Sequence, residues 1–298
     1  MSYGKGEASR DFGTWPRYSR ACRRAVDRLL AAGGGLSAYR SNPTSPVGPR
    51  EGSWAWKLER LAESEFKVKH AVAVNSGTMA LMAAIEGLHL RKGGEIIMSP
   101  FTYSATAAAA MFMGYTPVFA DLTPHGYTID PASVRHSLTS ETVAIMPVDL
   151  FGGLADYGAL LDFGLPIIQD ACQAVGATKK WFRGEVATWS FNGAKNVPAG
   201  EAGMAVTDDG ELADRMRRLI SHGENFLDNS TEPADRPVKQ GPHGRRALIG
   251  INGRLNELTA CVAYFGMQAV KANNQRRREL ADELYRRLKH RADVVVLT

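Results

Sequence analysis

The stretch Ala187-Thr188-Trp189-Ser190-Phe191-Asn192-Gly193-Ala194-Lys195 joins a short apolar run to a lysine. Lys195 is the one charged residue between Glu185 and Glu201. The run predicts a buried strand. A lysine in partly desolvated surroundings has a lowered pKa and becomes a competent amine nucleophile, although an exposed surface position is the default for any lysine. The stretch therefore predicts a reactive lysine just beyond the end of a strand.

Six further short runs resemble strands, so that seven are predicted in all, at 71–74, 95–99, 117–120, 143–148, 166–169, 187–191 and 203–206. Helical patterns separate most of them, at 78–90, 104–113, 131–138, 155–162 and 211–221. Such alternation is typical of a mostly parallel sheet. The sequence thus predicts an α/β fold with a mostly parallel seven-stranded sheet between helices.

The regions on either side of this alternation are predicted to be mainly helical. One helix is expected around Arg20–Ala32, and an amphipathic one from Trp54 to Phe66. A long helix is expected from about Leu255 to His290, followed by a strand at 294–297.

Composition narrows the class of protein. Hydrophobic residues make up 44% of the 298 residues and charged residues 22%, which is ordinary for a globular chain. A net charge of +5 without a basic, aromatic-rich stripe argues against nucleic-acid binding. Cys22, Cys172 and Cys261 have no metal-ligand spacing and predict reduced thiols. The sequence shows no recognisable signal peptide and no apolar run long enough to span a membrane. We therefore expect a cytoplasmic protein that binds neither a metal ion nor a membrane.

Small polar residues follow the first predicted strand. Ser76, Gly77 and Thr78 stand directly before a predicted helix. Free N–H groups at a helix start bind phosphate, and the two hydroxyls would add donors. A simple helix cap by the serine or threonine explains the same residues. The sequence alone leaves both interpretations open.

Asp170 and Gln173 follow the fifth predicted strand, and Asp170 is expected to open a helix there. A carboxylate that faces a pyridine nitrogen keeps it protonated, which makes the ring an electron sink. Gln173, expected on the same helical face, could donate to the ring's phenolic oxygen. Ser190 could supply another phosphate hydroxyl to the group near Lys195. Helix capping again explains Asp170 alone, but the combination is what a pyridoxal phosphate enzyme needs.

With these residues in place, the chain resembles the DegT/DnrJ/StrS family of fold-type I, pyridoxal-phosphate-dependent sugar aminotransferases. The resemblance runs from about residue 45 to the end of the chain, with every motif in family order. The matching segments are Asn75–Leu81, Pro100–Thr106, Pro147–Gly152, Gln169–Ala177, Ser190–Lys195, Gly200–Gly203 and Gly250–Leu258. The resemblance implies an aspartate-aminotransferase-like fold with a shortened C-terminal small domain.

The resemblance also implies domains: an N-terminal segment and loop at 1–50, a large cofactor-binding α/β domain at 51–254, and a long helix with the start of a truncated small domain at 255–298. The family's small domain has barely begun where the sequence stops. Ala202 also replaces a glycine common in the family.

Roles for individual residues follow from the resemblance. Lys195 would hold the cofactor as an internal aldimine and move the proton, while Asp170 would pair with the pyridinium nitrogen. Gln173 would lie near the ring oxygen, and Tyr103 would stack on the ring. The cofactor phosphate would be held by Ser76, Gly77, Thr78 and Ser190.

Asn252 matches an asparagine that reaches the phosphate from the partner subunit, which implies a homodimer with shared active sites. A turn residue before a helix explains Asn252 nearly as well.

The implied reaction is ping-pong transfer of an amino group from glutamate or glutamine to a keto-sugar, above all a nucleotide-linked one, or to a cyclitol. Two alternatives stay open. A sugar dehydratase of the same family would carry histidine in place of Lys195, so the lysine favours transamination. A catalytically silent homologue that acts as a binding partner is kept open by the short C-terminal part.

Overall fold

The computed structural model describes residues 15–33, 35–39, 48–124, 126–177, 183–223 and 249–291. The strand predicted at 294–297 lies outside the described residues. None of the helices within those ranges has the length and apolarity needed to cross a membrane.

Seven strands form the centre of the described fold. Their bounds are β1 His70–Val74, β2 Glu95–Met98, β3 Thr116–Phe119, β4 Thr142–Met146, β5 Ile168–Asp170, β6 Val186–Ser190 and β7 Gly203–Thr207. They form two ladders, β1-β7-β6-β5 and β3-β2-β4. Parallel bridges from Ile145 to Ile167 and from Val148 to Asp170 join β4 to β5. Only the pairs that include β7 are antiparallel, so the mostly parallel seven-stranded sheet is confirmed.

Eight helices accompany the strands within the described ranges. They are α1 Arg20–Ala31, α2 Trp54–Phe66, α3 Gly77–Gly87, α4 Ala105–Phe112, α5 Pro131–Ser137, α6 Tyr157–Leu161, α7 Gly210–Leu219 and α8 Glu257–Leu288. Each of these eight helices was predicted, most with ends that differ by a few residues, whereas the helix expected after Asp170 is absent. Both ends of α2 are as predicted, and the side chain of Ser53 caps its first turn.

The sheet packs between two layers of helices because its side chains alternate in direction. In β1, Ala71 and Ala73 belong to the same apolar cluster as residues of α2 and α8. Val72 and Val74, on the other face, belong to the cluster formed with α3, α4 and α7. Strands β5, β6 and β7 are buried along their whole length. This burial explains the continuous apolar runs that marked them in the sequence.

The start of α3 lies very close to the ends of β6 and β7. A Cβ atom on Gly203 would lie 2.4 Å from the carbonyl oxygen of Ser76, and one on Gly77 would lie 2.8 Å from Cβ of Ser190. Real Cβ atoms do not approach other atoms so closely. The two glycines therefore allow a helix N-terminus to sit against the edge of the sheet.

One local prediction is wrong: Asp170 does not open a helix. It is the last residue of β5, and turns follow it up to Ala177. The N–H of Ala171 donates to the carbonyl of Thr188 on β6, and the N–H of Cys172 donates to the carboxylate of Asp170 itself. The bonds that follow are those of successive turns: the N–H of Ala174 donates to the carbonyl of Ala171, three residues back rather than the four of an α-helix. Gln173 therefore shares no α-helical face with Asp170.

Candidate active site

A cavity of about 390 Å³ lies at the sheet edge where β1, β5 and β6 end. This edge, at the carboxyl ends of parallel strands, is where α/β proteins bind ligands. Eight of the nine predicted site residues line it, namely Ser76, Gly77, Thr78, Tyr103, Asp170, Gln173, Ser190 and Lys195. Groups from four separate parts of the sequence therefore meet in one place.

Asp170 is a buried carboxylate, with 2% of its surface exposed. Thr106 Oγ1 donates a hydrogen bond to Oδ2 at 2.8 Å, and the N–H of Cys172 donates to Oδ1 at 3.2 Å. Within the described ranges, no lysine or arginine forms an ion pair with it. A buried charge is unfavourable unless it is paired, so this carboxylate fits a cationic ligand group.

The start of α3 provides the donors for an anion. Ser76 Oγ accepts a hydrogen bond of 3.1 Å from the N–H of Met79. The serine therefore caps α3, which confirms the helix-cap interpretation of the sequence. The N–H groups of Gly77 and Thr78 take part in no hydrogen bond between described residues. Ser190 places its hydroxyl beside Gly77 from the end of β6. Capping and anion binding are therefore compatible here.

Lys195 lies in the connection between β6 and β7, which backbone bonds hold in shape. The N–H of Phe191 donates to the carbonyl of Ala202 at 2.8 Å. Asn192 then fixes the turn: its carbonyl accepts from the N–H of Lys195 at 2.8 Å, and its Nδ2 donates to Glu201 Oε1 at 2.8 Å. Lys195 therefore lies in a turn that these hydrogen bonds hold in place at the cavity wall.

Cys172 also lines the cavity but is no candidate nucleophile. Burial, followed by the negative charge of Asp170, raises the pKa of its thiol well above the usual range. A thiol is reactive as its thiolate, so Cys172 stays protonated and inert at neutral pH.

The remaining predicted residues lie nearer the solvent. Tyr103 lines the cavity with 72% of its surface exposed, so one face of its ring is available. Asn252 is exposed and does not line this cavity. It pairs with Ser221, and its carbonyl accepts a 3.4 Å hydrogen bond from Asn75. A role for Asn252 in a partner's site stays a prediction.

Among the lining residues that the sequence did not single out, Thr106 and Asn192 make the contacts that shape the site. Thr106 is buried, and its hydroxyl lies 2.8 Å from that of Thr102, one helical turn earlier. Hydroxyls four residues apart at a predicted helix start were the available signal. For Asn192 the signal was an asparagine followed by glycine just after a strand, which is typical of a turn.

A sequence model of the DegT/DnrJ/EryC1/StrS aminotransferase family matches residues 48–298. The chain belongs to this family. It is 40% identical over 229 residues to the GDP-perosamine synthase of Caulobacter vibrioides, covering 74% of this chain and 57% of that protein. It is 31% identical to the L-glutamine:2-deoxy-scyllo-inosose aminotransferase of Streptoalloteichus tenebrarius, covering 95% of this chain and 66% of that one.

The solved structures agree on the fold. NtdA of Bacillus subtilis, determined with bound PMP, superimposes with a TM-score of 0.74 at 26% identity, covering 91% of this chain and 58% of that one. The fold is therefore that of the fold-type I aminotransferases, as predicted. This family member spans less than two thirds of the length of both curated relatives.

The residues present fit pyridoxal phosphate. The carboxylate of Asp170 is buried without a cation, as a pyridinium nitrogen requires. Gly77, Thr78 and Ser190 form a cradle with unused N–H groups for the phosphate, and a Cβ atom on Gly77 would displace the side chain of Ser190. Lys195 lies on the wall of the same cavity.

Proposed function

We propose that this family member is a pyridoxal-phosphate-dependent aminotransferase that moves an amino group from glutamate or glutamine to a keto-sugar. One observation carries the proposal: Lys195 and the buried carboxylate of Asp170 line a single cavity that also contains an anion-binding helix start. Each feature alone has a structural explanation. Together they match the needs of one cofactor.

Each residue has a distinct task in this proposal. Asp170, oriented by Thr106, holds the proton on the ring nitrogen, and the α3 start with Ser190 binds the phosphate. Tyr103 covers one face of the ring, and Gln173 lies near its edge. The bound cofactor supplies an electron sink for the carbanion formed at the amino-bearing carbon. Lys195 Nζ would hold the cofactor at rest and, once released by the donor amine, would carry the proton between the substrate carbon and the cofactor.

The names of the relatives support the substrate class. One relative makes GDP-perosamine, and another transfers an amino group from L-glutamine to a deoxy-inosose. We propose a nucleotide-linked or otherwise phosphorylated keto-sugar as the acceptor, with a cyclitol as the second candidate. The two substrates would use the same cavity in turn, which gives ping-pong kinetics.

We also propose that two copies of the chain share their active sites. Asn252 is exposed and lies outside the cavity of its own chain, as a residue offered to a neighbour would. A dimer would bring this side chain to the partner's phosphate cradle. Replacing Asn252 with alanine should then weaken cofactor binding without altering the fold of the single chain.

Single-turnover kinetics test the proposed reaction. The chain loaded with pyridoxal phosphate is mixed with glutamate, glutamine or alanine, and the cofactor absorbance and the released oxo-acid are followed. Glutamate or glutamine should convert the cofactor in one stoichiometric turnover, and a keto-sugar should restore it. Release of water from the sugar instead would indicate a dehydratase. A loaded chain that reacts with none of the amino acids would favour a silent homologue.

A further inference from the structure

A second cavity, of about 710 Å³, opens on the other side of Lys195. It shares Cys172, Gln173, Ala194 and Lys195 with the first cavity, so the two are continuous at the lysine. Its opposite wall is the solvent-facing half of α8. A ligand bound at Lys195 could therefore extend into the second cavity.

Two arginines of α8 that line this cavity lack acidic partners. Arg276 pairs with Glu279, and both Arg286 and Arg287 pair with Glu283. By contrast, no aspartate or glutamate among the described residues forms an ion pair with Arg277 or Arg278, which line the cavity. The α8 arginines that lie away from the cavity are therefore paired with glutamates, whereas no such pair involves the two that line it.

The few contacts of these two guanidinium groups leave most of their donors available. Arg277 lies over the ring of Trp15, 5.0 Å from the centroid, which holds the plane of the group without using its N–H donors. Arg278 donates one long hydrogen bond, of 3.4 Å, to Gln275. A guanidinium group has five N–H donors, so both can bind an anion.

Asn274, one helical turn before Arg278, belongs to the same wall. Its side chain is buried, with 5% of its surface exposed. Nδ2 donates to the carbonyl of Val175 at 2.8 Å, which fixes the orientation of the amide. Oδ1 is buried and has no hydrogen-bond partner among the described residues. The amide is therefore a fixed part of the cavity wall beside Arg278.

We infer that Arg277 and Arg278 form the subsite that binds the phosphate of the keto-substrate, with Asn274 as a fixed part of the wall beside them. The inference rests on the proposed function. It assigns the recognition of the keto-substrate to particular residues of this chain. Two guanidinium groups that line one cavity match a phosphate or diphosphate better than a single carboxylate. The size of the cavity also exceeds what an amino-acid donor needs beyond Lys195.

Titration calorimetry with inorganic pyrophosphate tests the subsite directly. The cofactor is first fixed to Lys195 with borohydride, so that the α3 cradle is already filled and cannot bind the probe. The test protein is the double variant Arg277→Gln/Arg278→Gln. The matched control is Arg286→Gln/Arg287→Gln, which removes the same charge further along the same helix. The comparison is repeated on untreated chain, so the subsite is tested even if no cofactor becomes fixed.

We expect the test variant to bind pyrophosphate at least about tenfold more weakly than the parent, the loss expected for one charge-assisted contact. The control should bind like the parent. The single variant Arg278→Gln gives an intermediate loss and guards against misfolding of the double variant. Equal binding by the test variant, or equal loss in the control, would overturn the inference.

The carboxylate of the amino-acid donor is the other anion that fits a subsite formed by Arg277 and Arg278. If the variant instead slows the single turnover with glutamate and leaves pyrophosphate binding unchanged, the site belongs to the donor, and the assignment to the keto-substrate is wrong. Failure of borohydride to fix any cofactor would contradict the proposed function separately.

Discussion

Thr106 Oγ1 lies 2.8 Å from Asp170 Oδ2, and this hydrogen bond joins the start of α4 to the end of β5 beneath the cavity. Both side chains are almost completely buried. The threonine hydroxyl receives its own contact from Thr102 at 2.8 Å, so a short chain of hydroxyls leads from the cavity to the carboxylate. The orientation of Asp170 therefore depends on a helix 64 residues earlier in the sequence.

Replacing Thr106 with valine should weaken pyridoxal phosphate binding by about ten- to a hundredfold, because a hydrogen bond to a charged group contributes about 1.5–3 kcal/mol. Titration of the cofactor absorbance measures the change. Thr106→Ser keeps the hydroxyl and should bind like the parent chain. Equal affinities for the valine and serine variants would mean that Thr106 does not orient the carboxylate.

Replacing Gly77 with alanine should close the phosphate cradle. The new Cβ would lie 2.8 Å from Cβ of Ser190 and 3.1 Å from its hydroxyl oxygen. Overpacking of this kind costs about 1–3 kcal/mol of unfolding free energy. Cofactor binding should fall with it. Gly193→Ala is the matched control, since its Cβ meets no atom within 4 Å, and a change below about 0.5 kcal/mol is expected there. Similar losses in the two variants would refute the cradle.

Replacing Arg217 with alanine should strongly destabilise the fold. Arg217 binds both carboxylate oxygens of the buried Glu59, at 3.0 and 2.9 Å, and the carbonyl of Ala71 on the edge strand. Removal of Arg217 leaves the buried carboxylate of Glu59 with a single, half-exposed cation, Arg60, at 3.8 Å. Loss of the partner of a buried charge costs about 3–5 kcal/mol. Denaturant unfolding measures this. The exposed pair of Arg91 and Glu141 gives the control, where Arg91→Ala should cost about 0–1 kcal/mol.

Asp149 makes stability depend on pH. It is fully buried, and burial raises its pKa to about 6, against a usual value of 3.8, although Gln169 and Tyr157 donate to it. The folded state therefore binds the proton more tightly than the unfolded state. Stability is highest below the unfolded pKa and is lost as pH rises through the folded pKa.

Unfolding free energies of the parent and Asp149→Asn should accordingly diverge between pH 4 and 7. Because one pKa unit is worth about 1.4 kcal/mol, the variant should gain on the order of 3 kcal/mol relative to the parent over this interval. A constant difference, or a parent chain that gains stability relative to the variant as pH rises, would show that Asp149 ionises freely.

Most of the fold could be predicted because its local signals agree with its packing. The apolar run before Lys195 predicts a strand, and this strand, β6, is buried on both faces. Helix α2 has a serine cap and a regular apolar face, so both of its ends were predictable. Even the short α5 and α6 were predicted to within two residues at each end, whereas α3 ends three residues earlier than predicted.

The site was predictable where its groups follow strands, and less so where it depends on tertiary contacts. Ser76, Asp170 and Lys195 share one cavity because parallel strands end at one edge. The bond from Thr106 to Asp170 joins distant parts of the chain, and no local pattern encodes it. The turn after Asp170 was missed because its N–H bond to β6 is also a tertiary contact.

Borohydride trapping tests the central claim, that Lys195 is the residue that holds the cofactor. The chain is incubated with pyridoxal phosphate, reduced and digested, and the modified peptide is mapped by mass spectrometry. We predict one pyridoxyl group per chain, on Lys195, and none in Lys195→Arg. Modification at another lysine, or equal modification of the arginine variant, would contradict the proposed site.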